Sequence, residues 1–398
     1  MRSLPRIGNA RTLRGNPFPS ILPAVAEWIR TPDSLSRLAD DLRGCRALAI
    51  DSESDSLYHH FDKVCLIQLA SERGRAVLLD PLAVRDLRPL APLMADPQVT
   101  KVLHGADYDV TTLKRDFGFS FAGVFDTMLA ARFLGLPEIG LQAVARHELQ
   151  VELSKGSQKD DWSRRPLTPT QEAYALADVQ HLLPIRARLE DQLRAKGRLA
   201  WLEEECAAVA ALDPARRRND KDAYQKVKGA RRLSPRALAI LRELFSWREG
   251  RAESTDTPAF KVLGNETLLA MAGAAPRTRD DLGRLRLPSR LFDHALDLLG
   301  AVERGSSVPE PDLPRIPREP RPLVSDETRR RVQGLKTWRA QEAEAQKLDP
   351  SVLLPQRLID RLAETAPRDI GMLEGVEGLR RWRVLAFGPA LLRATQGR

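Results

Sequence analysis

The sequence predicts an α/β domain, a mixed central sheet flanked by helices, with two all-α modules behind it. Three observations carry that expectation. Short apolar, partly β-branched runs alternate with helical patterns over roughly the first 200 residues. From Ala211 onward no strand pattern occurs. The helical remainder reads as one block written twice. At 398 residues the chain is also too long for one ordinary core.

Taken in order, strands are expected at Arg46–Asp51, Val64–Leu69, Ala76–Asp80 and Lys101–His104. Helices are expected around them at Asp33–Leu42, Asp107–Phe117, Asp126–Leu134 and Gly140–His147. A single long helix is expected from about Pro169 to Lys196. Its start is marked by Thr168 as N-cap, Pro169 at the first helical position and Gln171 completing a capping box. A basic linker follows. Between Asp213 and Arg236, nine cations (Arg216, Arg217, Arg218, Lys221, Lys226, Lys228, Arg231, Arg232 and Arg236) face three Asp. Prolines at 309, 311, 314, 317, 320 and 322 exclude regular helix between the two blocks and favour an extended spacer.

The duplication rests on a constant offset. Trp247-Arg248 recurs as Trp338-Arg339, Ala275-Pro276-Arg277 as Ala366-Pro367-Arg368, and Leu282 as Leu373, all 91 residues apart. Val262-Leu263 and Val352-Leu353 are 90 apart, a slip that a loop absorbs. The expected division is 1–211 for the α/β domain, 212–232 for the basic linker, 233–305 for the first helical module, 306–325 for the Pro-rich linker and 326–398 for the second module.

Composition narrows the class. Hydrophobic residues at 42%, charged residues at 29% and a mean hydropathy of −0.35 describe a water-exposed globular chain. No apolar run approaches the roughly 18 residues needed to cross a bilayer, so no membrane partner is expected. Met1–Ser20 carries four Arg and no apolar stretch, so no secretory leader is expected. Cys45, Cys65 and Cys206 are an odd, scattered set that suits neither a disulfide framework nor a zinc site, and a monomer in a reducing cytoplasm is expected. With 63 Lys and Arg against 54 Asp and Glu, the +9 surplus suits a polyanionic partner.

Three segments carry chemistry. Leu48-Ala49-Ile50-Asp51-Ser52-Glu53 is an apolar strand ending in carboxylates at i and i+2, which leave a strand on one side. Alone, Asp-x-Glu is a common strand end. Lys101 to Asp109 is a short strand broken at Gly105 before a helix, where Asp107 reads as an N-cap and Asp109 lies in the first turn. Tyr174 and Asp178 stand at i, i+4 on one helical face, with Ala173, Ala175 and Ala177 keeping that helix slim. Four carboxylates meeting at the edge of a small sheet would repel one another without cations. Two divalent ions of the hard, oxygen-loving kind, Mg²⁺ or Mn²⁺, would neutralise them. Paired metals suit in-line phosphoryl displacement, and a tyrosine hydroxyl nearby could orient the attacking water or help take its proton.

Asp51-x-Glu53, His104-x-x-x-x-Asp109 and Tyr174-x-x-x-Asp178 together resemble the DEDDy exonuclease pattern. Their flanks resemble ribonuclease D in particular: Lys63-Val64-Cys65-Leu66-Ile67-Gln68-Leu69, Phe125-Asp126-Thr127 and Asp161-Trp162-Ser163-Arg164-Arg165-Pro166-Leu167. The resemblance spans about residues 20–200 and implies a ribonuclease H-like exonuclease fold. It implies metal coordination by Asp51, Glu53 and Asp178, support of the second metal by Asp109, and a water positioned by Tyr174. The helical blocks, about Leu233–Gly305 and Asp326–Gln396, resemble HRDC domains, modules attached to ribonuclease D and to RecQ-type helicases. The second block has Pro355 near the position of Asn265.

A 3′→5′ exoribonuclease acting on single-stranded RNA 3′ ends, precursor tRNA above all, is therefore expected. A DNA 3′→5′ exonuclease shares the carboxylate logic, but no GxxxxGK[ST] phosphate loop or polymerase-sized region accompanies it here. An inactive RNA-binding scaffold would be marked by a missing carboxylate, and none is missing. Around the site, His104 reads as a packed strand-end residue near enough to touch substrate. Lys155, Lys159, Arg164 and Arg165 form a polar loop that could meet phosphate. His59-His60 belong to no spaced ligand cluster and read as solvated loop, and Asp126 reads as a helix cap rather than a fifth ligand.

Overall fold

The structure, a computed structural model, describes residues 26–154, 156–215, 222–285, 287–317 and 325–396. Lys155 lies outside the described residues, as do Arg216, Arg217, Arg218 and Lys221 of the basic linker and Pro320 and Pro322 of the spacer.

Six strands build one mixed sheet: β1 (Glu27–Ile29), β2 (Ala47–Ser54), β3 (Val64–Ser71), β4 (Ala76–Leu79), β5 (Thr100–Leu103) and β6 (Val124–Asp126). Their order is β1-β4-β3-β2-β5-β6. The β2–β3 and β3–β4 pairs are antiparallel, while β1–β4, β2–β5 and β5–β6 are parallel. Helices cover both faces, so β3 is buried at every position. Period-2 alternation decides what each face meets. Leu48 and Ile50 share a core with Leu35 and Leu38 of helix Pro32–Asp41 and with Val110 and Leu113 of helix Asp107–Phe117. Ala47 and Ala49 join Val179, Leu182 and Ile185 in a second core.

The four expected strands and the four early helices are present. β1 and β6 were not expected. The long helix is two, Pro169–Gln180 and Leu182–Ala195, with His181 between them. Pro184 explains the break: it has no N–H for the Gln180 carbonyl, and its ring crowds that oxygen. A further helix, Leu199–Ala210, buries Leu202 and Cys206 in the second core.

The repeat is visible element by element. Helices Pro235–Ser254, Ala259–Val262, Asn265–Ala274, Arg279–Arg284 and Ala295–Ser306 return as Asp326–Gln346, Pro350–Leu353, Gln356–Thr365, Ile370–Glu374 and Arg381–Gln396. Ala275 and Ala366 end equivalent helices in the same left-handed conformation, each at φ 46°. Arg248 donates to the Leu263 carbonyl and Arg339 to the Leu354 carbonyl, each the residue that ends its short helix, so the structure aligns Leu263 with Leu354 at the 91-residue offset rather than with Leu353.

The two modules sit differently on the catalytic unit. The first has its own core, around Leu241, Leu244, Met271 and Leu298. The second shares a continuous core with the α/β unit, in which Phe133 and Trp201 meet Trp382 and Phe387. Trp201 stacks on Trp382 with ring centroids 4.6 Å apart. Glu204 accepts from the Arg381 and Trp382 amides, capping the last helix from outside the module. At Gly135 (φ 78°) a Cβ would lie 2.1 Å from the Lys347 carbonyl oxygen, so only glycine fits both the backbone and the contact. Trp382→Ala is therefore expected to lower the stability of the catalytic unit itself by about 3–5 kcal/mol. Denaturant unfolding followed through loss of nuclease activity would measure it, and an unchanged midpoint would refute the shared core.

Candidate active site

β2 carries Asp51 and Glu53 off one face of the sheet, and helix Pro169–Gln180 packs across β2, β3 and β4. Thr168, Pro169 and Gln171 start that helix with the expected capping box. Ala175 then packs with Leu66, Leu78 and Trp162, which draws Tyr174 and Asp178 down onto the strand ends. Ligand oxygens of Asp51, Glu53 and Asp178 all lie within 4.8 Å of one another. Tyr174, 8% exposed and tilted against the Trp162 ring, stands one helical turn before Asp178. Beside it opens a cavity of about 420 Å³ lined by Ser154, Ser157, Thr170, Ala173 and Ala177, among others.

The electrostatics follow from this crowding. Burial, then the charges of Asp109, Glu53 and Asp178, push the Asp51 carboxyl well above the usual carboxylate range. Glu53 is pushed up to about 9 by burial and by Asp178, Asp109 and Asp160. Burial raises Asp178 and Asp109 each to about 7. The Tyr174 phenol is raised as well, by burial and then by Asp178 and Glu53, and stays protonated. Such a set is held partly neutral against its nature and would ionise fully around cations. The donors are hard carboxylate oxygens, the set that Mg²⁺ or Mn²⁺ takes. Gln68 adds an independent sign. It pairs across the sheet with Asp51, so its side chain leaves on the same face, and it is fully buried with neither amide atom hydrogen-bonded. A polar group belongs there.

Asp109 approaches from the helix on the opposite face. It is close enough to raise Asp51 and Glu53 but is not one of the three clustered ligands, and its carboxylate accepts the Ser52 hydroxyl. Asp107 does not cap that helix: the N-cap is Ala106, with no side-chain cap. The Gly105 and Ala106 amides donate instead to Asp126, which also accepts from Met128 and Leu129. Asp126 is thus the cap of helix Thr127–Leu134, as expected, and it also holds the turn that leads into helix Asp107–Phe117.

Several expected contacts need correction. The His104 ring lies 2.9 Å from the Thr127 hydroxyl through Nδ1, and its Nε2 is buried, so the ring is packed between strand and helix. Arg165 is committed to the fold: its guanidinium donates to both Asp80 oxygens and to the Cys65 and Trp162 carbonyls. Arg164 remains exposed, with one donor on Asp161. His59 is not solvated loop. It bridges Asp256 of the first helical module and Ser163. Ser52 and Gln68 were missed as site residues. Gln68 has a readable signal, a lone amide in an otherwise apolar strand.

Residues 26–194 match the family described as 3′-5′ exonuclease, and residues 237–299 and 328–395 each match the HRDC domain. The chain is 33% identical to ribonuclease D of Pseudomonas paraeruginosa, covering 93% of this chain and 97% of that protein. It is 32% identical to ribonuclease D of Gluconacetobacter diazotrophicus, with 93% of each covered. Among solved structures, Escherichia coli RNase D, described as an exoribonuclease involved in structured RNA processing, superposes with a TM-score of 0.69 at 28% identity, covering 94% of this chain and 99% of that one. The catalytic core of Trypanosoma brucei RRP6 gives 0.65 at 27%, covering 73% of this chain and 82% of that one. Among the described residues no helix is long and apolar enough to cross a membrane. With its carboxylate-lined sheet edge and two trailing helical modules, the chain belongs to the ribonuclease D family of 3′→5′ exoribonucleases.

Proposed function

We propose that this chain removes mononucleotides from RNA 3′ ends with two divalent ions, Mg²⁺ or Mn²⁺, held by Asp51, Glu53 and Asp178 and supported by Asp109. The observation that carries this reading is the meeting of three carboxylates within 4.8 Å, one helical turn from a buried phenol. When bound, such ions stabilise the charge on the attacking and leaving oxygens of the phosphodiester. Asp51 and Glu53 hold their oxygens still because each is paired with β3, opposite Gln68 and Leu66, on a strand that β5 anchors up to Ala49. Ser52 fixes the rotamer of Asp109. Tyr174, protonated, orients the attacking water through its hydroxyl rather than acting as a phenolate base. The neighbouring cavity has room for the terminal nucleotide, and Arg164 stands exposed in the adjoining loop for a phosphate.

Residues 1–211 would then carry the chemistry, while the linker 212–232, the modules 233–305 and 326–398 and the spacer 306–325 hold longer or structured RNAs such as tRNA precursors. The reading includes a monomer working in the cytoplasm, where Cys45, Cys65 and Cys206, free and buried, stay reduced. The test uses a 5′-labelled RNA with a free 3′-hydroxyl, a 3′-phosphorylated copy and a circle. Stepwise shortening of the first is expected, halted by EDTA and restored by Mg²⁺ or Mn²⁺, with the other two largely resistant. Rapid internal cutting of the circle would show an endonuclease instead.

A further inference from the structure

Three aromatic side chains are exposed among the described residues: Phe61 at 43%, Tyr108 at 45% and Phe260 at 56%. Singly, an exposed aromatic is ordinary. Each of these three is tied, directly or through a neighbour, to the end of β2 or to the loop that follows it. Tyr108 precedes Asp109, and its hydroxyl lies 2.8 Å from the hydroxyl of Ser54, the residue after Glu53. Phe61 belongs to the loop that leaves β2 directly after Ser54. Phe260 comes from the first helical module, where the next residue, Lys261, sets its ammonium 4.1 Å over the Tyr58 ring of that same loop.

The loop is held from several sides. Asp256, at a left-handed turn (φ 44°) behind helix Pro235–Ser254, accepts from the His60 and Phe61 amides and pairs with His59 Nδ1 at 2.7 Å. His59 Nε2 meets the Ser163 hydroxyl, and the Tyr58 hydroxyl donates to the Lys159 carbonyl. Asp55, fully buried, accepts from the Lys63 amide and ammonium. The first helical module thus holds the loop that follows the strand carrying Asp51 and Glu53.

We infer that Phe61, Tyr108 and Phe260 form a base-stacking rim for the unpaired RNA nucleotides that lead into the site, completed across the domain boundary by the Asp256 contact. Aromatic faces at fixed positions, with Lys159 and Lys261 beside them, are the ordinary equipment for binding single strands without sequence preference. A protein partner seated on the rim would instead block the approach to the carboxylates. The inference rests on the exoribonuclease reading and adds where the strand runs.

The test measures binding of a 5′-fluorescent, single-stranded RNA of about 12 nucleotides to full-length protein in EDTA. Phe61→Ala and Phe260→Ala are each expected to weaken binding about 5-fold or more, with thermal melting unchanged. Phe260→Trp should restore it. The dependence of affinity on salt should keep its wild-type slope, because stacking releases no counterions. Both alanine variants binding within about twofold of wild type would overturn the rim, as would a loss that tracks a shallower salt slope. A parallel Mn²⁺ assay separates the two failures. Wild-type protein that shortens no RNA sinks the exoribonuclease reading, whereas shortening by a protein indifferent to Phe61 and Phe260 sinks the rim alone.

Discussion

Asp51→Asn and Asp178→Asn should each lower RNA hydrolysis by about 10³-fold or more, the scale of several kcal/mol of charge stabilisation at a metal-assisted phosphoryl transfer. Each change keeps the shape of the side chain and removes one carboxylate charge. Its effect on stability should run the other way. In the folded chain these carboxyls titrate above their ordinary range, Asp178 near 7 and Glu53 near 9. A raised acid leaves stability fully present below its unfolded value, about pH 4, and erodes it as pH rises through the folded value. Metal-free wild type should therefore melt at progressively lower temperature from pH 5 to pH 9. Mg²⁺ or Mn²⁺ should flatten that decline, and Asp178→Asn should flatten it in EDTA. Wild-type cleavage by either variant, or a melting temperature that climbs with pH in EDTA, would rule out the carboxylates as a charge-strained metal site.

Tyr174→Phe removes one hydroxyl from a side chain otherwise packed against Trp162. The ring contacts survive, so folding and RNA affinity should stay close to wild type. The single-turnover rate should fall by about 10²–10⁴-fold, the usual contribution of a positioned proton-transfer group. Burial and the neighbouring carboxylates hold the phenol protonated, so on the proposed reading the function lost is the orientation of water. The variant's rate should then keep the wild-type pH profile at a lower level. A KM defect with an unchanged rate constant would instead assign Tyr174 to substrate holding.

The convergence of the candidate site was largely legible because its residues sit on strong local patterns. The alternation of Leu48 to Glu53 puts two carboxylates on one face, and the capping box at Thr168 fixes the phase of the helix that carries Tyr174 and Asp178. The three-residue strands β1 and β6 escaped because three residues show no period. Pro184 was a readable break overlooked within an otherwise continuous helical pattern. Asp126 showed as a cap, but its second pair of amides belongs to residues 21 and 20 positions earlier, a contact only the fold can make. The same holds for Arg165 and Asp80, 85 residues apart, and for His59 and Asp256, 197 apart. Arginine in a polar loop looks alike whether it faces phosphate or closes on a buried aspartate.

The core that joins Phe133 and Trp201 to Trp382 and Phe387 has a consequence in time. Synthesis runs from the N-terminus at roughly 5–20 residues per second, so the last helix, Arg381–Gln396, emerges some 10–40 s after the α/β unit is complete. Until then the Trp201 face of the nascent nuclease has nothing to close it. The catalytic unit reaches its final stability only once residues 381–396 have been made and have folded onto it. A ribosome stalled after residue 211 has cleared the exit tunnel, but before Arg381–Gln396 is made, would display the strand and helix that carry the carboxylates with this flank still open.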